Sequence, residues 1–404
     1  MENKKHIALV TTWFPPNQSV ATNRMIAFAS FLSDDFEITV FSLDQKNHEE
    51  IWQEKVRVVY IKSASIFDFL ADKTSDSKWI HYAKTASRIV LSKMIKNPLK
   101  SWQKGVSTSL IKKHAEHPFD LVISSYAPQE THLAVLTFVK KHQEVKWIAD
   151  MRDEMSKNPG LNAKQQAHLH KIEKEINLYA DAITTVSEPI LRDFKDLCPQ
   201  IKFFEEVRNG FNHELPIAYK PKNKVFTLGY FGSFYGGRKP VTFFKALQEL
   251  CQKRTDFDFK FVVVGAHRNF DIPSIFHDKV DFRKGLSYQK AVELMMNMDL
   301  NIVIHPRSDQ KGVFTGKLFD YVSVKKPVLA CVDKNDVAAK LVLDFGAGYV
   351  AECDDLSENV KALERAFDDW KNNLILVASE ENRLSLHRKN QVKKLNRLIQ
   401  QLVS

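Results

Sequence analysis

Two rhythms of apolar and polar positions take turns along the chain. "HIALVTTWF", "FEITVFSL", "VRVVYIK", "FDLVISSY" and "VKWIAD" are short, β-branched and apolar almost throughout, as strands buried on both faces are. Between them, "ATNRMIAFASFLSD", "THLAVLTFVKKHQ" and "AKQQAHLHKIEKEINLYA" carry apolar residues at helical spacing, and "DAITTVSE" follows as a further strand. The second half begins the alternation afresh. Strands are expected in "FTLGYFGSF", "FKFVVVGAH", "NIVIHP", "KPVLACV" and "AGYVAE", and helices in "KPVTFFKALQELCQK", "YQKAVELMMNMD" and "VAAKLVLDF". Such alternation predicts parallel sheets with helices on both faces, here an α/β chain of two doubly wound, Rossmann-like domains. We place them at 1–206 and 207–385, parted in the turn-rich, basic "VRNGFNHELPIAYKPKNK" (207–224). The final "ENRLSLHRKNQVKKLNRLIQQLVS" predicts one long helix, with 386–404 as a separate element. Ligands of open α/β sheets bind outside the strands' carboxyl ends, so two domains facing across a cleft would hold a ligand between them.

Composition narrows the class. A chain of 404 residues exceeds one ordinary core, and 44% hydrophobic with 27% charged residues is a globular balance. No apolar run reaches bilayer length, and "MENKKHIALVTTWF" stops at "PPNQ" without a small-residue cleavage site, so the chain reads as cytoplasmic. Cys198, Cys251, Cys331 and Cys353 show no paired spacing, which speaks against a zinc site or a disulfide framework; Cys331 reads as a core residue. The net charge of +10 points to an anionic partner. From Ser77 to Ala115 there is no acidic residue and about nine are Lys or Arg, interleaved with apolar positions at helical spacing in "HYAKTASRIVLSKMIK". Two readings stay open: a peripheral contact of segment 78–113 with an anionic membrane, or the solvated basic face of a packed helix.

The chemistry gathers in three stretches. In "KGVFTGKLFDYVSVKKPVLA" (311–330), Gly312, Phe314, Thr315, Gly316 and Lys317 precede a helix, where unpaired N–H groups and the dipole favour an anion. Asp320, one turn on, is placed to take hydroxyls. In "LGYFGSFYGGRKPVTFFKAL", Gly232 and Ser233 end a strand, Gly236 and Gly237 make a turn, and Arg238 and Lys239 stand at the next helix start ahead of Pro240. Either loop alone reads equally as a surface turn. Two cationic, glycine-containing loops at strand ends of one domain suit a pyrophosphate. Neither matches a Walker A or GxGxxG pattern, which counts against ATP hydrolysis and dinucleotide redox chemistry. The third stretch is Asp150-Met151-Arg152-Asp153, where Asp150 and Arg152 would point one way at a strand end. There they would position an acceptor or steady an oxocarbenium-like sugar, the alternative being a salt-bridged loop with Asp153 capping a helix. Among lesser candidates, His305 ends a strand, Asn209-Gly210 forms a turn in which glycine supplies a positive φ, the methionines of "ELMMNMD" are core, and Glu188 starts a helix.

"FGSFYGGRKP", "VVVGAH" and "GVFTGKLFDYVSVKKPVLA", with "TTWFPP", "FDLVISSYAP", "WIADMRDE", "ADAITTVSE" and "VRNGFN" in order before them, resemble the GT-B glycosyltransferases of family four. The resemblance covers nearly the whole chain and implies a last helix that crosses back to the first domain. It implies a nucleotide-diphosphate sugar as co-substrate, held by the second domain, with no metal and no other cofactor. Carried over, Arg238 or Lys239 and Lys317 neutralise the diphosphate, amides of Phe314, Thr315 and Gly316 face it, Gly265 sits near the base, and Asp320 holds the ribose hydroxyls. The chain departs from the family at Gly312, where a glutamate is usual, at "PPNQSVATNR" in place of a Gly-Gly pair, and at Tyr126-Ala127, where a histidine often stands. A surface-polysaccharide branch tolerates these changes and shows the Asp150–Asp153 element. The implied activity is retaining transfer of a sugar to a lipid-linked or surface glycan. Set against it are a non-catalytic GT-B subunit binding glycan or protein, a GT-B epimerase, and, weakest, a nucleic-acid-binding protein, for which no reading module is present.

Overall fold

The computed structural model describes residues 4–63, 99–215, 220–234, 239–266, 270 and 272–404. The chain divides into two compact units, Met1–Val207 with Val392–Ser404, and Arg208–Gln391.

The first unit is built on β1 (His6–Val10), β2 (Glu37–Asp44), β3 (His48–Trp52), β4 (Val56–Lys62), β5 (Leu121–Tyr126), β6 (Lys146–Met151), β7 (Ala182–Thr185) and β8 (Phe203–Glu206). Their order across the sheet is β3-β4-β2-β1-β5-β6-β7-β8, all parallel except the β3–β4 pair. Successive residues of β1 feed opposite cores. Ala8 and Val10 pack with Trp102, Val106 and Leu110, whereas Ile7 and Leu9 pack with Phe28 and Ile38. Ser19 starts the helix Val20–Leu32 by accepting the Thr22 N–H, and Asn162 with Gln165 forms a capping box on Ala163–Tyr179. The sheet reverses direction between β1 and β5, which makes that point a crevice at the carboxyl ends.

One feature of this unit differs from the pattern reading. The antiparallel edge strand β3 is "HEEIW", largely exposed, so it carries no apolar signal. In segment 78–113, residues 78–98 lie outside the described residues, while the helix Lys100–Glu116 turns Trp102, Val106 and Leu110 into the core. Its apolar side is therefore occupied by packing. Among the described residues, no helix is long and apolar enough to cross a membrane.

The second unit holds β9 (Phe226–Phe231), β10 (Phe259–Val264), β11 (Val280–Arg283), β12 (Leu300–Ile304), β13 (Val328–Val332) and β14 (Gly348–Glu352), parallel throughout in the order β11-β10-β9-β12-β13-β14. Its reversal lies between β9 and β12. Met295 and Met298 are core, as is Cys331, and Glu188 in the first unit begins the helix Glu188–Leu197 with Pro189 in its first turn.

The expected single C-terminal helix is two, Glu380–Ser385 and Arg388–Val403. Phe211 breaks it: its N–H donates to the Leu386 carbonyl (3.3 Å) and its carbonyl accepts the Arg388 N–H (3.0 Å). Gly210 owes its identity to this approach, because a Cβ there would lie 2.2 Å from the Leu386 oxygen. Its φ is not positive, so close packing replaces the turn geometry expected of it. Beyond Gln391 the helix belongs to the first unit, burying Val392, Leu395, Leu398 and Ile399 against Ile7, Leu9 and Phe28. Each such side chain contributes about 1.5–3 kcal/mol by leaving water.

Candidate functional site

In the unit 208–391, three strands end on glycine. Gly232 follows β9 with φ +124°, Gly265 follows β10 with φ +78°, and Gly285 lies just beyond β11. A Cβ on Gly265 would be 3.8 Å from the Gly285 Cα and 4.0 Å from that of Gly232, so the three backbones form a floor free of side chains. The floor is tied across strands. Gly232 N–H donates to the Val264 carbonyl (2.8 Å), Gly265 N–H to the Arg283 carbonyl (3.0 Å), and the Ser233 hydroxyl to the Gly265 carbonyl (3.2 Å).

Lys317 comes to this floor from the other side of the sheet's reversal. Its ammonium lies 3.7 Å from the centre of the Tyr230 ring, and a Cβ on Gly232 would be 3.1 Å from its Nζ. Tyr230 in turn stacks on Phe234 at 4.0 Å. Any side chain at 232 would push the cation away, and the backbone there is one that L-residues resist. The sequence reading placed Gly232, Ser233, Gly265 and Lys317 in one site, and these four lie together here.

The loop before Lys317 leads into the helix Gly316–Ser323, whose first amides have no partner within it. Thr315 occupies the N-cap position, yet its hydroxyl makes no capping bond and is buried without a hydrogen-bond partner. A buried orphan of this kind calls for a ligand or a water. Phe314 packs on Phe319 (5.2 Å between ring centres) and carries the Arg208 guanidinium 5.6 Å above its ring, a cation the sequence reading did not single out. Gly312, where a glutamate would be usual, has φ +83°, and its N–H is held by the Asp336 carboxylate at 2.8 Å. The position serves a left-handed turn. Lys239 is exposed just ahead of the helix Val241–Lys253, and Arg238 lies outside the described residues. His305 bonds the Pro306 carbonyl through Nδ1 (3.0 Å), and the Asn209 side-chain oxygen is buried without a partner.

Asp320 lies on the same helix one turn beyond Lys317 and is half-buried. Its Oδ1 accepts from the Tyr288 hydroxyl at 2.7 Å. Burial pushes its carboxyl up to about 6, against the pull of the Tyr288 hydrogen bond and the Arg388 charge. Tyr288 is the chief residue that the sequence reading missed. It begins the helix Tyr288–Met296, and its periodicity marked it only as a helix start.

The unit 1–207 places the Asp150–Asp153 stretch differently from expectation. Asp150 is fully buried and accepts from Arg24 Nη2 (2.6 Å), Arg24 Nε (3.1 Å), Ser125 (2.8 Å) and Thr184 (2.8 Å). Burial alone would raise its carboxyl, but the Arg24 charge and these bonds hold it below the usual range. Arg24 also donates to the Val207 carbonyl at 2.7 Å. With both oxygens engaged and no exposed surface, Asp150 is a structural anchor and not a group that meets substrate. Arg152 clamps the Tyr126 (2.6 Å) and Ala127 (2.8 Å) carbonyls, so its job is to fix the loop after β5. Met151 is core. Asp153 is exposed, caps no helix and accepts no hydrogen bond among the described residues, which leaves it as the one group of the stretch open to a substrate. His132 is buried against Ser124 and Met151, and burial drops its imidazole to about 3, so it stays neutral.

Comparison with known proteins shows the fold. No known family's sequence model matches the chain, and no curated protein does. Among solved structures, sucrose-phosphate synthase from Thermosynechococcus elongatus is similar over 99% of both chains, at 11% identity and a TM-score of 0.63. The lipopolysaccharide outer core galactosyltransferase WaaB is similar over 98% of this chain and 99% of its own, at 14% identity and 0.60. HepE of Anabaena, solved in complex with UDP-glucose, is similar over the same shares, at 14% identity and 0.60. The architecture is that of the GT-B fold, two parallel-sheet units with helices on both faces.

Proposed function

We propose that the protein is a glycosyltransferase that takes a sugar from a nucleotide-diphosphate donor bound by the unit 208–391. The observation that carries this reading is the Lys317 ammonium held over the side-chain-free floor of Gly232 and Gly265, beside a helix start whose Thr315 hydroxyl is buried and unpartnered. A diphosphate is the ligand that uses all three features: the cation, the amides of the helix start and the orphan hydroxyl. It is also the leaving group. Lys317, with the amides of Phe314, Thr315 and Gly316, would stabilise charge developing on the departing oxygen, an arrangement that works through preorganised donors. Asp320 would take ribose hydroxyls, and Lys239 would add a cation at the floor's rim. Similar solved structures that hold UDP-glucose or a fluorinated UDP-glucose support the class of donor.

For the acceptor we propose a hydroxyl of a lipid-linked or surface glycan, with retention of configuration and without a metal, in keeping with the family that the sequence resembles. Asp153 is the group we assign to the acceptor side.

The test is hydrolysis or transfer of UDP-, GDP-, ADP- and CMP-sugars by the purified protein, with product followed by chromatography. Turnover of one nucleotide class, lost in Lys317→Ala, supports the reading. Gly312 and the buried Asp150 favour one competitor, a non-catalytic GT-B binding subunit, because each removes a carboxylate from the chemistry. That competitor predicts nucleotide or glycan binding with no turnover of any sugar donor.

A further inference from the structure

The helix Arg388–Val403 has two faces of unlike chemistry. Val392, Leu395, Leu398 and Ile399 are buried in the core of the first unit. At about 100° per residue, Lys389, Lys393 and Arg397 fall on the side turned away from them, and all three are exposed. They follow one another four residues apart, in a row about 12 Å long. From Arg383 to Ser404 the chain has no aspartate or glutamate, so the helix supplies no acid to pair with them. Exposed cations on other helices are held differently. Arg192 meets Glu188 (2.6 Å), Lys253 meets Glu249 (2.6 Å) and Lys112 meets Glu116 (3.9 Å), each four positions apart. The side chains of Lys389, Lys393 and Arg397 make no ion pair or hydrogen bond among the described residues. Acids that reach this helix meet other positions: Asp35 accepts from Asn396 (2.6 Å), and Glu205 lies 4.0 Å from Lys394. Like charges four residues apart destabilise a helix, a cost that an anionic partner would remove.

We propose that the row Lys389–Lys393–Arg397 is a docking face for an anionic lipid surface, which seats the protein on a bilayer by charge without inserting into it. The helix has spent its apolar face on packing, so charge is the attraction left to it, and that attraction is screened by salt. A row of cations on one rigid helix meets a flat sheet of headgroups all at once. The choice of lipid among polyanions rests on the reading of a lipid-linked acceptor; the row itself does not. Nucleic acid fits less well, because the helix has no aromatic side chain on which a base could stack.

The experiment is co-sedimentation of the full chain with vesicles of phosphatidylcholine alone and of phosphatidylcholine mixed equally with phosphatidylglycerol. Duplex DNA at the same phosphate concentration is run beside them. The native chain is compared with the triple variant Lys389→Gln, Lys393→Gln and Arg397→Gln, with folding checked by circular dichroism. We expect the native chain to bind the mixed vesicles, to ignore phosphatidylcholine, and to be released at about 0.5 M salt. The triple variant should bind about 100-fold more weakly, the product of three cations near the surface. No binding of the native chain to the mixed vesicles overturns the proposal. Unchanged binding by the variant overturns it too, since the charge that matters then lies elsewhere in the chain. Binding to DNA that exceeds binding to vesicles and is lost in the variant overturns it in favour of nucleic acid. None of these results touches the donor-site reading, which the nucleotide response of the same proteins tests separately.

Discussion

Asp320 should cost the unliganded protein stability, and replacing it with asparagine should return that stability. Its carboxyl titrates at about 6 in the folded chain against an ordinary 3.8. A raised pKa in the folded state means the folded form favours the protonated acid. The penalty is therefore absent below about pH 4, grows as pH rises through 6, and is complete above pH 7. Two pKa units correspond to about 3 kcal/mol at most, and partial solvent access to the carboxylate reduces this to about 1–2 kcal/mol. Asparagine keeps an acceptor for the Tyr288 hydroxyl and sheds the charge. At about 2–4 °C per kcal/mol for a unit of this size, Asp320→Asn should melt about 3–6 °C higher at pH 7.5. The gain should shrink to about 1–2 °C at pH 4.5, where about a third of the penalty remains. Thermal unfolding of both proteins at the two pH values is the assay. A variant that melts at or below the native temperature at pH 7.5, or a gain that does not shrink in acid, would falsify the account of this carboxylate.

Other perturbations follow from the same geometry. Arg24→Ala leaves the buried Asp150 charge uncompensated and should destabilise the unit 1–207 by about 3–5 kcal/mol, read as a lower urea midpoint. Gly312→Ala forces a side chain into a left-handed turn and should cost about 1–2 kcal/mol in the same titration, with no effect if the turn relaxes freely. Gly232→Ala should remove nucleotide-induced stabilisation while circular dichroism stays native, because its Cβ meets the Lys317 ammonium; an unchanged thermal response would argue that Lys317 does not serve the site.

Much of the architecture was legible because parallel strands are buried on both faces and leave continuous apolar runs. "FVVV" and "VLACV" become β10 and β13, without an exposed residue after Lys260. The edge strand β3 escaped because it is largely exposed and only Ile51 and Trp52 are apolar, too few for a continuous run. The break in the C-terminal helix escaped because its cause, Phe211, is some 175 residues away in sequence. The Asp150 stretch shows the same limit: its position after a strand was readable, but Arg24, which takes up the carboxylate, sits 126 positions earlier. Local chemistry travelled better. Lys317 and Gly232 drew notice for their residue types alone, whereas Tyr288 did not, since a tyrosine opening an amphipathic helix has no distinguishing pattern.

The central claim, that the unit 208–391 grips a nucleotide diphosphate through Lys317, is tested most directly by binding. Melting temperatures of the native chain and Lys317→Ala would be measured with millimolar UDP, GDP, ADP and CDP. The account predicts that one nucleotide raises the native melting temperature by several degrees, about the effect of ligand at 100-fold its dissociation constant, and that Lys317→Ala loses the rise. No rise with any nucleotide, or an equal rise in the variant, would contradict it.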